Sequence, residues 1–378
     1  MTSYEGRDPA TGRALSVRVE DGRVAEVVAA SGPVDGWLAP GLVDLQVNGF
    51  GGYDVNGPAV TPETVIELGR ALAAAGTTSF LPTVITAPED EIIASLRAVA
   101  AAREADQATR DAIPFVHVEG PHLSPEDGAR GVHPLEQLRP PSVDEFRRWQ
   151  DACGGIVGLV TLSPHYAGTA EYVRALSRAD VIVALGHTAA SPEQITAAAD
   201  AGAVMSTHLG NGASAVLPRH PNHLWTQLSD DRLTAGFIAD GHHLPADALT
   251  AMVRAKGIER SFLVSDSVAL AGSAPGDYET AVGGTVHLSA EGRLSYAGTP
   301  YLAGAARSLA DDVASAVTLA RVGLGDAVRM ATMNPGRFAG GRGVLRPGAP
   351  ADLVCFDWAP GDSALSLRTV VRGGRVVG

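Results

Sequence analysis

The chain has 378 residues, of which 45% are hydrophobic and 19% are charged, so it can bury a large core and is not a disordered chain. Its formal net charge of −13 disfavours broad binding to nucleic acids or anionic membranes but allows one local cationic pocket. The two cysteines, Cys153 and Cys355, have no metal-binding spacing, and no run approaches the roughly 20 apolar residues of a membrane span, which predicts a cytoplasmic protein with free thiols.

Short β-rich segments lie at both ends of the chain. Residues 14–28 form two such runs around Asp21-Gly22, which is a strong hairpin signal. Residues 351–357 and 369–378 predict further strands, the last pair folded around Gly373-Gly374. We therefore expect a small β-sandwich subdomain built from residues 1–38 and 344–378.

The long middle part alternates apolar runs with helical patterns. Eight runs read as buried strands: 38–47, 78–86, 114–119, 156–163, 181–187, 203–208, 233–240 and 262–266. Helical patterns separate most of them, at 61–75, 89–103, 170–179 and 191–201. Such alternation is typical of a parallel sheet buried on both faces, and eight units favour a (β/α)₈ barrel of the TIM type over residues 39–343. No glycine-rich dinucleotide loop follows any strand, which weakens the open-sheet alternative.

Several predicted strands end in chemically active side chains. Glu119, His187 and His208 end the third, fifth and sixth strands, and a barrel brings its strand ends together at one mouth. One carboxylate and two imidazoles form a common catalytic zinc set, so we predict that these three bind a metal. Any one of them alone would be an ordinary polar residue, and the prediction depends on their combination.

Asp266 ends the eighth strand, in "LVSDS". It is either a helix-capping or salt-bridge aspartate or, as we prefer, the general base that takes a proton from metal-activated water. His133 and His243 lie in loops and are each either substrate contacts or surface residues, with His242 as a competitor of His243. His117 lies two residues before Glu119 and is interpreted as an inward residue that either belongs to the core or supports the metal ligands.

These motifs resemble the amidohydrolase superfamily and, within it, the N-acetylglucosamine-6-phosphate deacetylases. The matching segments are 39–52, 117–121, 185–188, 207–211, 238–243 and 263–267, with a return to the small β-domain at 345–354. The resemblance implies that Glu119, His187 and His208 are metal ligands, that Asp266 is catalytic and that His133 polarises the acyl carbonyl. It further implies a homodimer and sugar-phosphate contacts from Asn211, Gly212, Arg219 and His243, with Leu302, Ala303 and Gly304 in a loop over the sugar.

The first strand carries the amides Gln46 and Asn48 where many superfamily members carry His-x-His for a second metal. Neutral amides are poor zinc ligands, so we predict one divalent ion per subunit, zinc by preference and iron as the alternative. The expected reaction is removal of the N-acetyl group from N-acetylglucosamine 6-phosphate. The loop 210–225 and the insert 124–131 depart from the family pattern, so another N-acyl amino sugar, an N-acyl amino acid or a cyclic amide stays an alternative substrate. A non-catalytic sugar-binding barrel is the alternative from another class.

Overall fold

The computed structural model describes residues 2–280, 284–299 and 301–378. The first strands are β1 (Thr2–Arg7), β2 (Ala14–Glu20), β3 (Arg23–Ala29) and β4 (Trp37–Pro40). The first half of the barrel contains β5 (Leu42–Val47), the short β6 (Gly49–Phe50) and β7 (Tyr53–Asp54), α1 (Pro62–Ala74), β8 (Thr77–Ile85), α2 (Glu89–Ala105), α3 (Gln107–Ala112), β9 (Val116–Glu119), α4 (Val143–Cys153) and β10 (Val157–Leu162). The second half contains α5 (Thr169–Ser177), β11 (Ile182–Leu185), α6 (Pro192–Ala201), β12 (Met205–Ser206), α7 (His223–Ser229), β13 (Thr234–Phe237), α8 (Ala246–Lys256) and β14 (Ser261–Leu263). The remainder comprises β15 (Gly276–Thr280), β16 (Gly284–Leu288), β17 (Leu294–Tyr296), α9 (Leu309–Leu319), α10 (Leu324–Met330), α11 (Met333–Gly336), β18 (Leu353–Asp357), β19 (Ser366–Arg372) and β20 (Arg375–Val376).

Eight parallel strands form the central sheet, in the order β5–β8–β9–β10–β11–β12–β13–β14. The two edges nearly close the barrel beyond β14, where Val47 and Ser267 form a parallel bridge and the Asp266 N–H donates to the Gln46 carbonyl at 3.0 Å. The predicted barrel is confirmed. One predicted strand differs: residues 38–47 divide at Gly41, because β4 joins the terminal sheet and only β5 enters the barrel.

The helices begin where local chemistry favours them. Thr61 and Ser191 each accept a hydrogen bond from the third helical residue, which returns one to the cap, and a proline occupies the first turn of both α1 and α6. These reciprocal bonds satisfy backbone N–H groups that the helix itself leaves without partners. The helices pack their apolar faces on the sheet, and a separate apolar cluster that includes Leu45, Leu81 and Phe262 fills the barrel interior.

The two termini form one seven-stranded sheet, in the order β20–β19–β18–β4–β1–β2–β3. Asp21 and Gly22 both have positive φ, 48° and 75°, as the predicted hairpin requires. The sheet curls back on itself, since the Val24 N–H donates to the Ala349 carbonyl at 2.9 Å. Val17 and Val371 consequently share one apolar cluster, which confirms a small β-subdomain made from both termini.

A further sheet of three antiparallel strands, β15–β16–β17, follows the barrel's last strand and was not anticipated from the sequence. Its Val286 and Leu294 pack with Ala303 and Val268 in a small apolar cluster beside the barrel mouth. None of the helices in the described part of the chain has the length and apolar character needed to cross a membrane.

Candidate active site

The polar residues at the strand ends converge at one mouth of the barrel. Glu119 is the last residue of β9, and His187 and His208 each follow their strand by two residues. His187, His208 and Asp266 have φ values of 46°, 25° and 49°, which makes them three of the six non-glycine residues with positive φ in the described ranges. Such backbone strain is concentrated at functional sites because only the surrounding structure can maintain it.

Three donor atoms form a compact triangle. Nε2 of His208 lies 3.1 Å from Oε1 of Glu119 and 3.1 Å from Nε2 of His187, and the third edge, from His187 Nε2 to Glu119 Oε1, is 3.5 Å. Ligands at about 2.0–2.2 Å around a tetrahedral ion are separated by about 3.3–3.6 Å, and the observed edges lie within about 0.2 Å of this range. The predicted triad therefore has the spacing of a metal-binding set, and the residues present fit a divalent ion.

The protonation of the two histidines supports this fit. Burial lowers the pKa of His187 to about 4 and also lowers the pKa of His208, so both rings are neutral at pH 7. Nδ1 of His187 donates to the Ala129 carbonyl at 2.9 Å, which leaves Nε2 with a free lone pair directed at the triangle. Burial raises the pKa of Glu119, while Gln46 Nε2 donates to its Oε1 at 3.0 Å.

His133 lies against this triangle. Its ring centre is 4.4 Å from that of His187, and Glu119, His133 and His187 each offer a ligand atom within 4.8 Å of the others. Nδ1 of His133 hydrogen-bonds the Thr86 hydroxyl at 2.8 Å, which leaves Nε2 available to a substrate. Burial holds the pKa of His133 well below its ordinary value, so the ring is neutral and can donate a hydrogen bond without carrying charge.

Asp266 shares the same cavity. Its Oδ1 accepts a hydrogen bond from Asn48 Nδ2 at 2.8 Å. Burial, followed by the negative charge of Glu119, raises the pKa of Asp266 to about 6, close to the value that suits proton transfer near neutral pH. His117, in contrast, bonds Thr161 Oγ1 at 2.8 Å and the Leu45 carbonyl at 3.2 Å and is a barrel-core residue, which is one of the two interpretations that the sequence left open.

The cavity at the mouth has a volume of about 870 Å³. Of the residues predicted to contact substrate, six line it: Asn211, Gly212, His243, Leu302, Ala303 and Gly304. Arg219 does not line it and is exposed in the loop before α7. The sequence reasoning also overlooked Asp54 and Arg130, which do line it; a basic residue between Ala129 and Gly131, just before His133, was the available signal for Arg130.

A buried ion pair distinguishes His243 from His242. Nδ1 of His243 lies 2.7 Å from Oδ2 of Asp240, whose Oδ1 accepts the backbone N–H groups of both histidines at 2.8 and 2.9 Å. Although burial opposes the charges, these interactions lower the pKa of Asp240 to about 2 and raise the pKa of His243. His242 instead bonds the Glu291 carbonyl at 3.0 Å, and His243 is the one of the two histidines that lines the cavity.

This barrel, with its carboxylate and imidazole cluster at the strand ends, is the architecture of the amidohydrolases. A sequence model of the Amidohydrolase family matches residues 37–377, so the chain belongs to that family. The chain is 36% identical over 325 residues, 85% of its length and 79% of the relative's, to the N-acetylgalactosamine-6-phosphate deacetylase of Shewanella sp. (strain ANA-3). It is 34% identical over 271 residues, 70% of its length and 67% of the relative's, to the N-acetylglucosamine-6-phosphate deacetylase of Bacillus subtilis.

Structural similarity agrees with these relatives. A variant of the N-acetyl-D-glucosamine-6-phosphate deacetylase of Mycobacterium smegmatis, solved in complex with N-acetyl-D-glucosamine-6-phosphate, has a TM-score of 0.86 and 30% identity. The match covers 97% of this chain and 95% of that one. Within the amidohydrolases, the chain is therefore a member of the N-acetylglucosamine-6-phosphate deacetylase family.

Proposed function

We propose that the protein is a metal-dependent deacetylase that hydrolyses the N-acetyl group of N-acetylglucosamine 6-phosphate. The observation that carries this proposal is the triangle of Glu119, His187 and His208, with edges of 3.1–3.5 Å, in the cavity that also contains Asp266. Family membership supports the reaction class, and the names of the relatives support a 6-phosphorylated N-acetylhexosamine as substrate.

The residues divide into metal ligands and proton-transfer groups. A divalent ion held by Glu119, His187 and His208 would supply Lewis acidity, polarising an amide carbonyl and lowering the pKa of water. Asp266 takes a proton from the attacking water and then returns it to the departing amine nitrogen, so that the C–N bond breaks without releasing an amide anion. His133 donates a hydrogen bond from Nε2 to the acyl oxygen as negative charge develops there.

The amide side chains at the end of β5 favour the proposal of one ion per subunit. Gln46 Nε2 and Asn48 Nδ2 donate to the carboxylates of Glu119 and Asp266, so these side chains direct N–H groups, not lone pairs, toward the site. The mixed nitrogen and oxygen donors suit zinc, with iron as the alternative.

The substrate contacts are assigned to Asn211, Gly212 and His243 and to the loop of Leu302, Ala303 and Gly304, all of which line the cavity. Arg219 is exposed, which suits the predicted homodimer if this residue reaches the cavity of a neighbouring subunit. A cytoplasmic location agrees with Cys153 and Cys355, which are both free thiols.

A turnover screen tests the function. The metal-loaded protein is assayed for amine release from N-acetylglucosamine 6-phosphate, N-acetylgalactosamine 6-phosphate and unphosphorylated N-acetylglucosamine. We expect the first to give the highest kcat/KM and Asp266→Asn to lose at least about 100-fold in kcat while retaining its metal. Faster turnover of the galacto epimer would reassign the sugar. No turnover of either phosphorylated sugar, or an active Asp266→Asn variant, would overturn the proposal.

A further inference from the structure

The cavity contains little positive charge for a ligand that carries a phosphate. Four carboxylates line it, those of Asp54, Glu119, Asp127 and Asp266. Arg130 is the single arginine or lysine among the lining residues that the structure describes. A phosphate dianion requires cationic or N–H donors, and among the described lining residues Arg130 offers a permanent positive charge while His243 offers a ring N–H.

The guanidinium of Arg130 has bonding capacity that the protein does not use. Its Nη2 pairs with Asp127 Oδ1 at 2.8 Å, and its Nη1 makes only a long contact of 3.4 Å to the His133 carbonyl. Its Nε is buried and has no hydrogen-bond partner in the described ranges. The side chain of Asp127 is 96% exposed, so the ion pair is weak and can be exchanged for a bound anion.

Arg130 belongs to the wall of the cavity that also carries Asn211 and Gly212. Gly128 packs so closely on the chain at Ala213 and Ser214 that an added Cβ would lie 2.8 Å from the Ala213 carbonyl oxygen. Ser214 Oγ donates to the Asp127 carbonyl at 3.3 Å, which joins the two segments a second time.

The ring of His187 joins the same two segments near the donor triangle. Added Cβ atoms at Gly131 and Gly212 would lie 3.1 Å and 2.6 Å from its atoms. Arg130, directly before Gly131, is therefore fixed beside the positions assigned to sugar-phosphate contact.

We infer that Arg130 binds the phosphate of the substrate from within the same chain, exchanging its ion pair with Asp127 for the phosphate oxygens. This inference rests on the proposed function for the identity of the ligand. An arginine suits the role because its planar guanidinium can donate two parallel hydrogen bonds to one phosphate. Asp127 then acts as a competitor that occupies the guanidinium until the substrate enters.

Kinetics with paired substrates test the role of Arg130. The measured quantity is the ratio of kcat/KM for N-acetylglucosamine 6-phosphate to kcat/KM for N-acetylglucosamine. Arg130→Ala should lower this ratio by about 10- to 100-fold, mainly through KM for the phosphorylated sugar, as expected for the loss of charge-assisted hydrogen bonds. Arg147→Ala is the matched control, because Arg147 forms the same i,i+3 pair with Asp144 at 2.8 Å on an exposed face of α4. An unchanged ratio in Arg130→Ala would overturn the inference.

Asp127→Asn gives a second test in the opposite direction. It should lower KM for the phosphorylated sugar by about 2- to 5-fold, since the guanidinium is released from a weak ion pair. In the Arg130→Ala background the same change should have no effect, because residues that act through one contact are not additive. An equal effect of Asp127→Asn in both backgrounds would show that Arg130 is not the group being released.

A binding measurement separates this inference from the proposed reaction. Isothermal titration compares glucosamine 6-phosphate with glucosamine on the metal-loaded protein and on the Arg130→Ala variant. We expect the native chain to bind glucosamine 6-phosphate more tightly than glucosamine. The ratio of the two dissociation constants should be smaller in the variant by about 10-fold or more. This result would sustain the role of Arg130 even if no acetylated sugar were turned over. No preference for the phosphorylated amine, or an equal preference in both proteins, would overturn the inference.

Discussion

Replacing Gly212 by alanine tests how the protein holds the His187 ring. Gly212 has a φ of +55°, and an added Cβ would lie 2.6 Å from Nδ1 and 3.0 Å from Cε1 and Cγ of His187. Non-bonded heavy atoms reach their favourable separation at about 3.5 Å or more, so the imidazole must move by about 1 Å. Metal ligands tolerate displacements of about 0.2 Å, and the movement also strains the hydrogen bond from Nδ1 to Ala129.

The size of the effect follows from two contributions. The left-handed backbone costs an alanine about 1–2 kcal/mol, and the steric overlap costs about 1–3 kcal/mol more. The displaced ligand should weaken metal affinity by at least about 10- to 100-fold. Gly154→Ala is the matched control, because Gly154 has a φ of +67° but an added Cβ there would meet nothing within 4 Å.

Two assays separate these contributions. Denaturant unfolding of the metal-free proteins should show a loss of about 1–2 kcal/mol for Gly154→Ala and a larger loss for Gly212→Ala. Metal content after dialysis against increasing chelator should fall only for Gly212→Ala. If both variants hold the metal equally tightly, the argument that Gly212 makes room for His187 as a ligand is refuted.

Three further predictions concern stability. Chelation should lower the unfolding temperature in scanning calorimetry, and divalent metal at 1,000 times Kd should restore that temperature by raising the free energy of unfolding by about 4 kcal/mol. No change would mean that Glu119, His187 and His208 hold no ion. Asp312 is fully buried and its two oxygens have no partners in the described ranges, so burial raises its pKa well above the ordinary value. The free energy of unfolding of the native chain should therefore fall as pH rises above about 4, the pKa of an aspartate in the unfolded chain. Urea unfolding should show that the free energy of unfolding of Asp312→Asn, relative to that of the native chain, increases from pH 5 to pH 8. A difference that does not depend on pH would contradict this origin. Lys256, the only lysine of the chain, is buried and donates to the Gln227 and Asp230 carbonyls at 2.7 and 2.6 Å. Lys256→Met should lower the free energy of unfolding by about 2–4 kcal/mol, because it removes both hydrogen bonds. An unchanged free energy of unfolding would show that these bonds make no net contribution.

The terminal strands and the barrel could be predicted because local pattern and burial agree in this chain. Asp21-Gly22 specifies a hairpin, and the prolines after Thr61 and Ser191 specify helix starts, without information from distant residues. The break at Gly41 could not be predicted, because the apolar run continues through it. Only the antiparallel pairing of β4 with β18 places the first half of this run in the terminal sheet instead of the barrel.

For the site, the sequence by itself determined which side chains end the strands, and parallel strands place those ends together. Glu119, His187, His208 and Asp266 could therefore be selected before any contact was known. Only the tertiary structure decided which loop residues face the cavity: it places His243 there and leaves His242 outside, and it includes Arg130 but not Arg219. Loop direction depends on packing such as that of Gly128 on Ala213, and burial, which determines the shifted pKa of Asp266, is a property of the assembled fold.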